Sequence, residues 1–213
     1  MNGLVIGGKV VPCRIPVFNW MDTGLECKAG DGARRRSPKG KIDLFVWHWT
    51  GGEGGVEQLF RVLEQRELGV EFFIDQGGLI FQFCDPIVTD TFDAGYVNAR
   101  SVGCEIANVG TGPTKGTWQR TRYETKINGV KIKPAEFYKE QVLSALALAD
   151  AVSEAIPTIK KHVPRNLLGG LKTTTMSPKD VRSFSGHIGH YHINAGKTDP
   201  GTDLLQGLIK HGY

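Results

Sequence analysis

The chain predicts an α/β fold, a mixed central β-sheet flanked by helices, on three observations. A continuous apolar run, "KIDLFVWHWT" at residues 41–50, has the composition of a strand buried on both faces. The segment "PAEFYKEQVLSALALADAVSEAI", residues 134–156, carries an apolar stripe at helical spacing. Around these, short β-type runs alternate with turn signals, in the order strand, helix, three strands, hairpin, helix, loop, helix.

Residues 1–40 are rich in Gly, Pro and Arg. "LVIGGKVV" reads as a short hairpin around Gly7-Gly8, and the rest as loop. This stretch is expected to be an arm packed on a main domain of residues 41–213. After the first buried strand, "GGEGG" breaks the chain, and "VEQLFRVLEQREL" places Val56, Leu59, Phe60 and Leu63 at helical spacing before Gly69. "VEFFIDQGGLIFQFC" is two strands about the turn Asp75-Gln76-Gly77-Gly78. "ARSVGCEIANVG" is a further strand, with Val102, Cys104 and Ile106 on one face and Ser101, Gly103 and Glu105 on the other.

"RYETKINGVKIK" alternates around Asn128-Gly129, a strong hairpin signal, and reads as a surface insertion. In the long helical segment Pro134 suits the first turn, Phe137, Val142, Leu146, Ala149 and Val152 form the stripe, and Pro157 ends it. Residues 163–180 form a long loop whose "SPKD" can open a short helical turn, and "DLLQGLIKHGY" is a terminal helix.

Composition narrows the classes of function. At 40% hydrophobic and 23% charged, the 213 residues can build a real core. A net charge of +4 is too small to imply nucleic acid, but it suits an anionic polymer such as a cell wall. The basic cluster "ARRRSPKGK", residues 33–41, reads as a solvated loop before a strand. The four cysteines lack a CxxC pair, which argues against a zinc ribbon. Cys84 and Cys104 lie in apolar text and read as reduced core residues. Cys13 and Cys27 leave a disulfide open as an alternative. The first 20 residues do not have the pattern of a signal peptide, and no stretch approaches the roughly 20 apolar residues of a membrane span. A cytoplasmically made, monomeric chain without membrane insertion is therefore expected, needing release by another agent to act outside.

Three of the six histidines crowd into "SGHIGHYHINAGKTDPG", residues 185–201. A catalytic zinc site needs three ligands from His, Asp/Glu or Cys and one open position. His190 and Asp199 are nine residues apart, a loop length that can present both to one ion. His48 ends a buried strand before a Gly-rich loop, where α/β sheets hold ligands, and can supply a third donor. His187, His190 and His192 all remain candidates for the second; in an extended segment the last two share a side and His187 faces the other. Glu105, among apolar and small neighbours, fits a general base whose pKa burial raises. Lys197, two residues before Asp199, fits an oxyanion partner.

"FVWHWTGG", "NARSVGCEIAN" and "GHYHINAGKTDPG", in that order, resemble the zinc-dependent N-acetylmuramoyl-L-alanine amidases of the type-2 amidase and peptidoglycan-recognition superfamily. This superfamily includes endolysins of the T7 lysozyme kind and AmpD-like recycling amidases. The resemblance covers roughly residues 41–205. It implies zinc held by His48, His190 and Asp199, with Glu105 and Lys197 catalytic, and His187 as the rival second ligand. It further implies a peptidoglycan groove running past Thr50, Asn98 and Arg100; for Asn98 and Arg100 the alternative is ordinary capping of the strand that follows. The chain departs from the family at Asp93, where His-Ala-Gly is usual, and at Val70-Glu71, where a tyrosine or histidine is usual. These two positions are expected to line the groove, and the missing tyrosine shifts the base role onto Glu105. The implied activity is cleavage between N-acetylmuramic acid and L-alanine, as a phage or prophage endolysin. The alternatives are a cytosolic recycling amidase, a non-catalytic peptidoglycan-binding protein and a structural virion protein on the same fold.

Overall fold

The computed structural model describes residues 3–38, 40–114 and 119–213. Lys39 of the basic cluster and Met1 and Asn2 of the arm lie outside the described residues. The arm opens with the hairpin β1 (Gly3–Ile6) and β2 (Lys9–Pro12), paired antiparallel about Gly7 and Gly8, both at positive φ. The continuous apolar run of residues 41–50 forms β5 (Leu44–Trp49), preceded by β3 (Val17–Asn19), a one-turn helix α1 (Trp20–Thr23) and β4 (Ala33–Arg35). Helix α2 (Val56–Gln65) follows, then β6 (Phe72–Ile74) and β7 (Ile80–Gln82), which pair antiparallel. Next come β8 (Thr89–Thr91), β9 (Ser101–Ile106) and the hairpin β10 (Thr125–Ile127) and β11 (Val130–Ile132). The chain ends with α3 (Lys139–Ala155), α4 (Pro178–Ser183), β12 (Gly186–Gly189) and α5 (Asp203–Lys210).

The central sheet has six strands in the order β12-β5-β9-β6-β7-β3. Strands β12, β5, β9 and β6 run parallel, β7 runs antiparallel to β6, and β3 runs parallel to β7. The sheet is therefore mixed, as the sequence predicts. Leu44, Phe45, Val46 and Trp47 are wholly buried, which explains a run with no polar alternation. Phe45, Trp47, Val102 and Cys104 pack on Leu148 and Val152 of α3 and Leu204 and Leu208 of α5. On the opposite face Phe73 meets Leu59, Phe60 and Leu63 of α2, while Val46 and Ile188 meet Val97 and Val181. Each such side chain contributes roughly 1.5–3 kcal/mol when fully buried.

Three local expectations are corrected, and the open cysteine alternative is decided. The stretch after the hairpin is not all loop: β3 adds an edge strand to the sheet and β4 pairs with β8. Strands of three residues are too short for periodicity to register. The long helix begins at Lys139, so Pro134 and Phe137 precede it. Its start is set by tertiary contacts: Tyr138 N–H donates to Gln141 Oε1, and the buried Gln141 amide donates to Ala107 O and Asp75 O. The histidine-rich segment contains a strand, β12, followed by a 3-10 turn over His190–His192. All four cysteines are free, so no Cys13–Cys27 bridge exists; Cys84 and Cys104 are buried thiols. No helix among the described residues is long and apolar enough to cross a membrane.

Candidate metal centre

Register brings the site together. His48 is paired with Glu105 across the parallel strands β5 and β9, so both side chains leave the same face at one level. On the other flank Gly189 is paired with Trp47, so His190, the next residue, arrives beside His48. The 3-10 turn then reverses the chain, and Tyr191 N–H donates to Asp199 O at 3.3 Å, folding the loop back over the strand ends. The C-terminal edge of β12, β5 and β9 thus gathers two imidazoles and two carboxylates, at the end of a parallel sheet where ligands bind.

His48 Nδ1 lies 3.0 Å and His190 Nδ1 3.1 Å from the same oxygen, Asp199 Oδ2. The donor atoms of these three buried residues lie within 4.8 Å of one another. Donors about 2.0–2.1 Å from a tetrahedral zinc are about 3.3 Å apart, so the set fits this ion in chemistry and spacing. Burial opposes charge on His48, but its hydrogen bonds to Asp199 and Asp93 outweigh it and hold its pKa well above the usual value. Burial likewise opposes ionisation of Asp199, yet the hydrogen bonds from His190 and His48 hold its carboxyl well below the carboxylate range.

Glu105 borders the cluster. Its Oε2 is sealed from solvent and has no hydrogen-bond partner among the described residues. A native buried carboxylate oxygen without a partner marks a place where a ligand is expected to bind. Burial pushes its carboxyl up to about 7; His48 and Lys197 pull it down, Asp199 and Asp93 push it further up. Lys197, exposed on the returning loop, lines the same cleft of about 190 Å³ with His48, Asp93, Glu105, His190 and Asp199. Arg66, Leu63 and Val70 form another part of its lining.

The other histidines of the crowded segment point elsewhere. His187 is on the opposite face of the sheet, where Trp47 Nε1–H donates to its Nδ1 at 3.3 Å, leaving its Nε2–H to donate to Ser153 Oγ at 2.9 Å. Burial lowers its pKa to about 3. His192 accepts from Gly189 N–H and donates to Lys172 O, and burial lowers its pKa to about 4. The shared side expected of His190 and His192 fails because the turn replaces strand alternation.

Thr50 lines the cleft, with its hydroxyl donating to Gly52 O at 2.6 Å and accepting from Asn108 N–H at 3.2 Å. Asn98 and Arg100 do not line it. Asn98 Oδ1 accepts from Ala94 N–H, and the Arg100 guanidinium is engaged by Asp43, Val181 O, Arg182 O and Phe184 O. Both serve the scaffold at the start of β9. Of the two departures from the family pattern, Asp93 and Val70 line the cleft, whereas Glu71 is wholly buried behind them. The contact that sequence reasoning missed is Asp93 on His48, at 3.1 Å. The aspartate is visible in the text, but no spacing rule links it to a strand 45 residues earlier.

A family model described as N-acetylmuramoyl-L-alanine amidase matches residues 38–202. No protein of curated function matches the sequence. Among solved structures, the endolysin N-acetylmuramoyl-L-alanine amidase LysCS from Clostridium intestinale URNW aligns at TM-score 0.54 and 13% identity, over 93% of this chain and 97% of that one. The Drosophila peptidoglycan recognition protein SD aligns at TM-score 0.55 and 12% identity, over 94% and 95%. The amidase AmiD from E. coli, solved with anhydro-N-acetylmuramic acid-L-Ala-D-gamma-Glu-L-Lys, aligns at TM-score 0.51 and 18% identity, over 84% and 61%. At these identities the likeness establishes the fold.

Proposed function

Because the chain belongs to the N-acetylmuramoyl-L-alanine amidase family, we propose that it hydrolyses the bond between the lactyl group of N-acetylmuramic acid and L-alanine in peptidoglycan, with zinc held by His48, His190 and Asp199. The observation that carries this reading is the convergence of those three donors beside a carboxylate with an unpartnered buried oxygen. Bound there, zinc would supply Lewis-acid chemistry, which in such sites brings the pKa of a water from about 15.7 toward roughly 7.

The chain's own residues do the rest. Glu105, with its pKa raised to about 7, accepts a proton from the attacking water and returns it to the departing alanine nitrogen. The Lys197 ammonium lies on the cleft wall, where it faces negative charge growing on the scissile carbonyl oxygen. Thr50 holds the loop that borders the cleft. In this reading residues 41–213 carry the catalytic side chains, and residues 1–40 complete the sheet through β3.

The competing reading on the same fold is peptidoglycan binding without cleavage, as the likeness to a recognition protein suggests. The availability of a full ligand set, a carboxylate and a lysine favours cleavage. An endolysin role, with a monomer reaching the wall after release, is supported by the likeness to LysCS over almost its whole length. Recycling of soluble fragments is the alternative, suggested by the anhydro-muropeptide bound to AmiD. The test is product release by the zinc-loaded chain from intact sacculi and from soluble anhydro-muropeptides. Faster release from sacculi supports the endolysin role, and cleavage confined to soluble fragments the recycling role. Binding without release from either substrate refutes the hydrolase.

A further inference from the structure

Behind His48 lies a second carboxylate with no assigned role. His48 Nδ1 faces Asp199 and His190, while its other ring nitrogen, Nε2, lies 3.1 Å from Asp93 Oδ2. A metal-binding Nδ1 must be unprotonated, so the ring proton is on Nε2, where it donates to Asp93. Both side chains are nearly sealed from solvent, at 3% and 6% exposure. The strand beside them makes room: a Cβ on Gly103 would lie 2.1 Å from Asp93 Oδ2. In β9, then, a residue without a side chain leaves room for the carboxylate beside the imidazole.

A buried polar cluster lies beside this contact. The Thr91 hydroxyl donates to Glu71 Oε2 at 2.8 Å and lies 3.4 Å from Asp93 Oδ1. Gly103 N–H donates to Glu71 Oε2 at 2.7 Å, and the buried Arg36 guanidinium pairs with Glu71 Oε1 at 3.3 Å and donates to Ser101 O. The hydrogen-bonded chain from Arg36, next to β4, through Glu71 thus ends at Thr91, whose hydroxyl lies beside Asp93.

From this geometry we infer that Asp93 is a positioning residue for the metal: its carboxylate fixes the tautomer and ring orientation of His48. The inference rests on the zinc reading above. Removal of such an outer carboxylate typically weakens metal affinity 10–100-fold.

The test is zinc affinity of the full chain, by competition with a chromophoric chelator, for wild type, Asp93→Ala and Asp93→Asn. Circular dichroism confirms folding, and nitrogen-15 NMR of the histidine rings reads the His48 tautomer. Asp93→Ala should bind zinc 10–100-fold more weakly and lose the slowly exchanging His48 Nε2–H signal. Asp93→Asn, which keeps an acceptor oxygen, should recover part of both. If wild type binds zinc and folded Asp93→Ala binds it within twofold with an unchanged ring signal, the positioning role is overturned. If wild type itself binds no zinc, the metal reading is what fails.

Discussion

His48 and Glu105 are register partners on adjacent parallel strands, and this one pairing sets a metal donor and a proton acceptor side by side on the same face of the sheet. Proximity of this kind separates the two roles by residue. Glu105→Gln keeps the shape of the site but cannot take a proton. We expect it to retain zinc and to lose about 10²–10⁴-fold in turnover. Metal analysis and muropeptide release on the same sample check this; undiminished turnover removes Glu105 from the mechanism.

The raised pKa of Glu105 gives a pH profile. A general base works ionised, so kcat/KM should climb with pH through a midpoint of about 7 and level off above it, falling about tenfold per unit well below it. A bound cation favours the carboxylate, which makes 7 an upper limit for the midpoint. The profile of the zinc-loaded chain between pH 4.5 and 8 is the check. A limb whose midpoint lies clearly above 7 assigns the titration to another group.

Gly103 offers a stability test separate from catalysis. A Cβ there would meet Asp93 Oδ2 at 2.1 Å and Val70 Cγ2 at 3.1 Å. Gly103→Ala should lose about 1–3 kcal/mol through overpacking. Urea unfolding of the metal-free protein measures it, and an unchanged midpoint would contradict the packing described.

Two buried histidines predict acid sensitivity. His187 and His192 have folded-state values of about 3 and about 4, below the unfolded value near 6.5. The unfolded chain therefore binds more protons between these limits, and stability rises with pH there. The contribution is fully present above pH 6.5 and is lost as pH falls through the folded values, at about 2 kcal/mol per histidine by pH 5. Urea midpoints of the metal-free chain at pH 7 and pH 5 give the slope. His187→Gln should make it shallower, and an identical slope would refute its part.

Much of the fold was legible because its signals were strong and local. The buried run of β5, the Gly-Gly and Asn-Gly hairpins and the α2 stripe each have a distinct period or turn. Strands β3, β4, β8 and β12 were not, since three or four residues carry no period and their pairing is decided by distant partners. The candidate site divides in the same way. His48, Glu105, His190, Lys197 and Asp199 were recognisable and meet at one cleft. For Arg100 the sequence leaves substrate contact and capping open, because its partners, Asp43 and three carbonyls beyond residue 180, come from remote chain. Asp93 escaped notice as a partner of His48 for the same reason.

Zinc binding by three side chains at one point is read most directly by metal stoichiometry. Wild-type chain and Asp199→Ala should be loaded with zinc, dialysed together against metal-free buffer and assayed for bound metal. A single retained zinc per wild-type chain and loss of it in the variant is the predicted result; equal zinc retention by Asp199→Ala would contradict the ligand set.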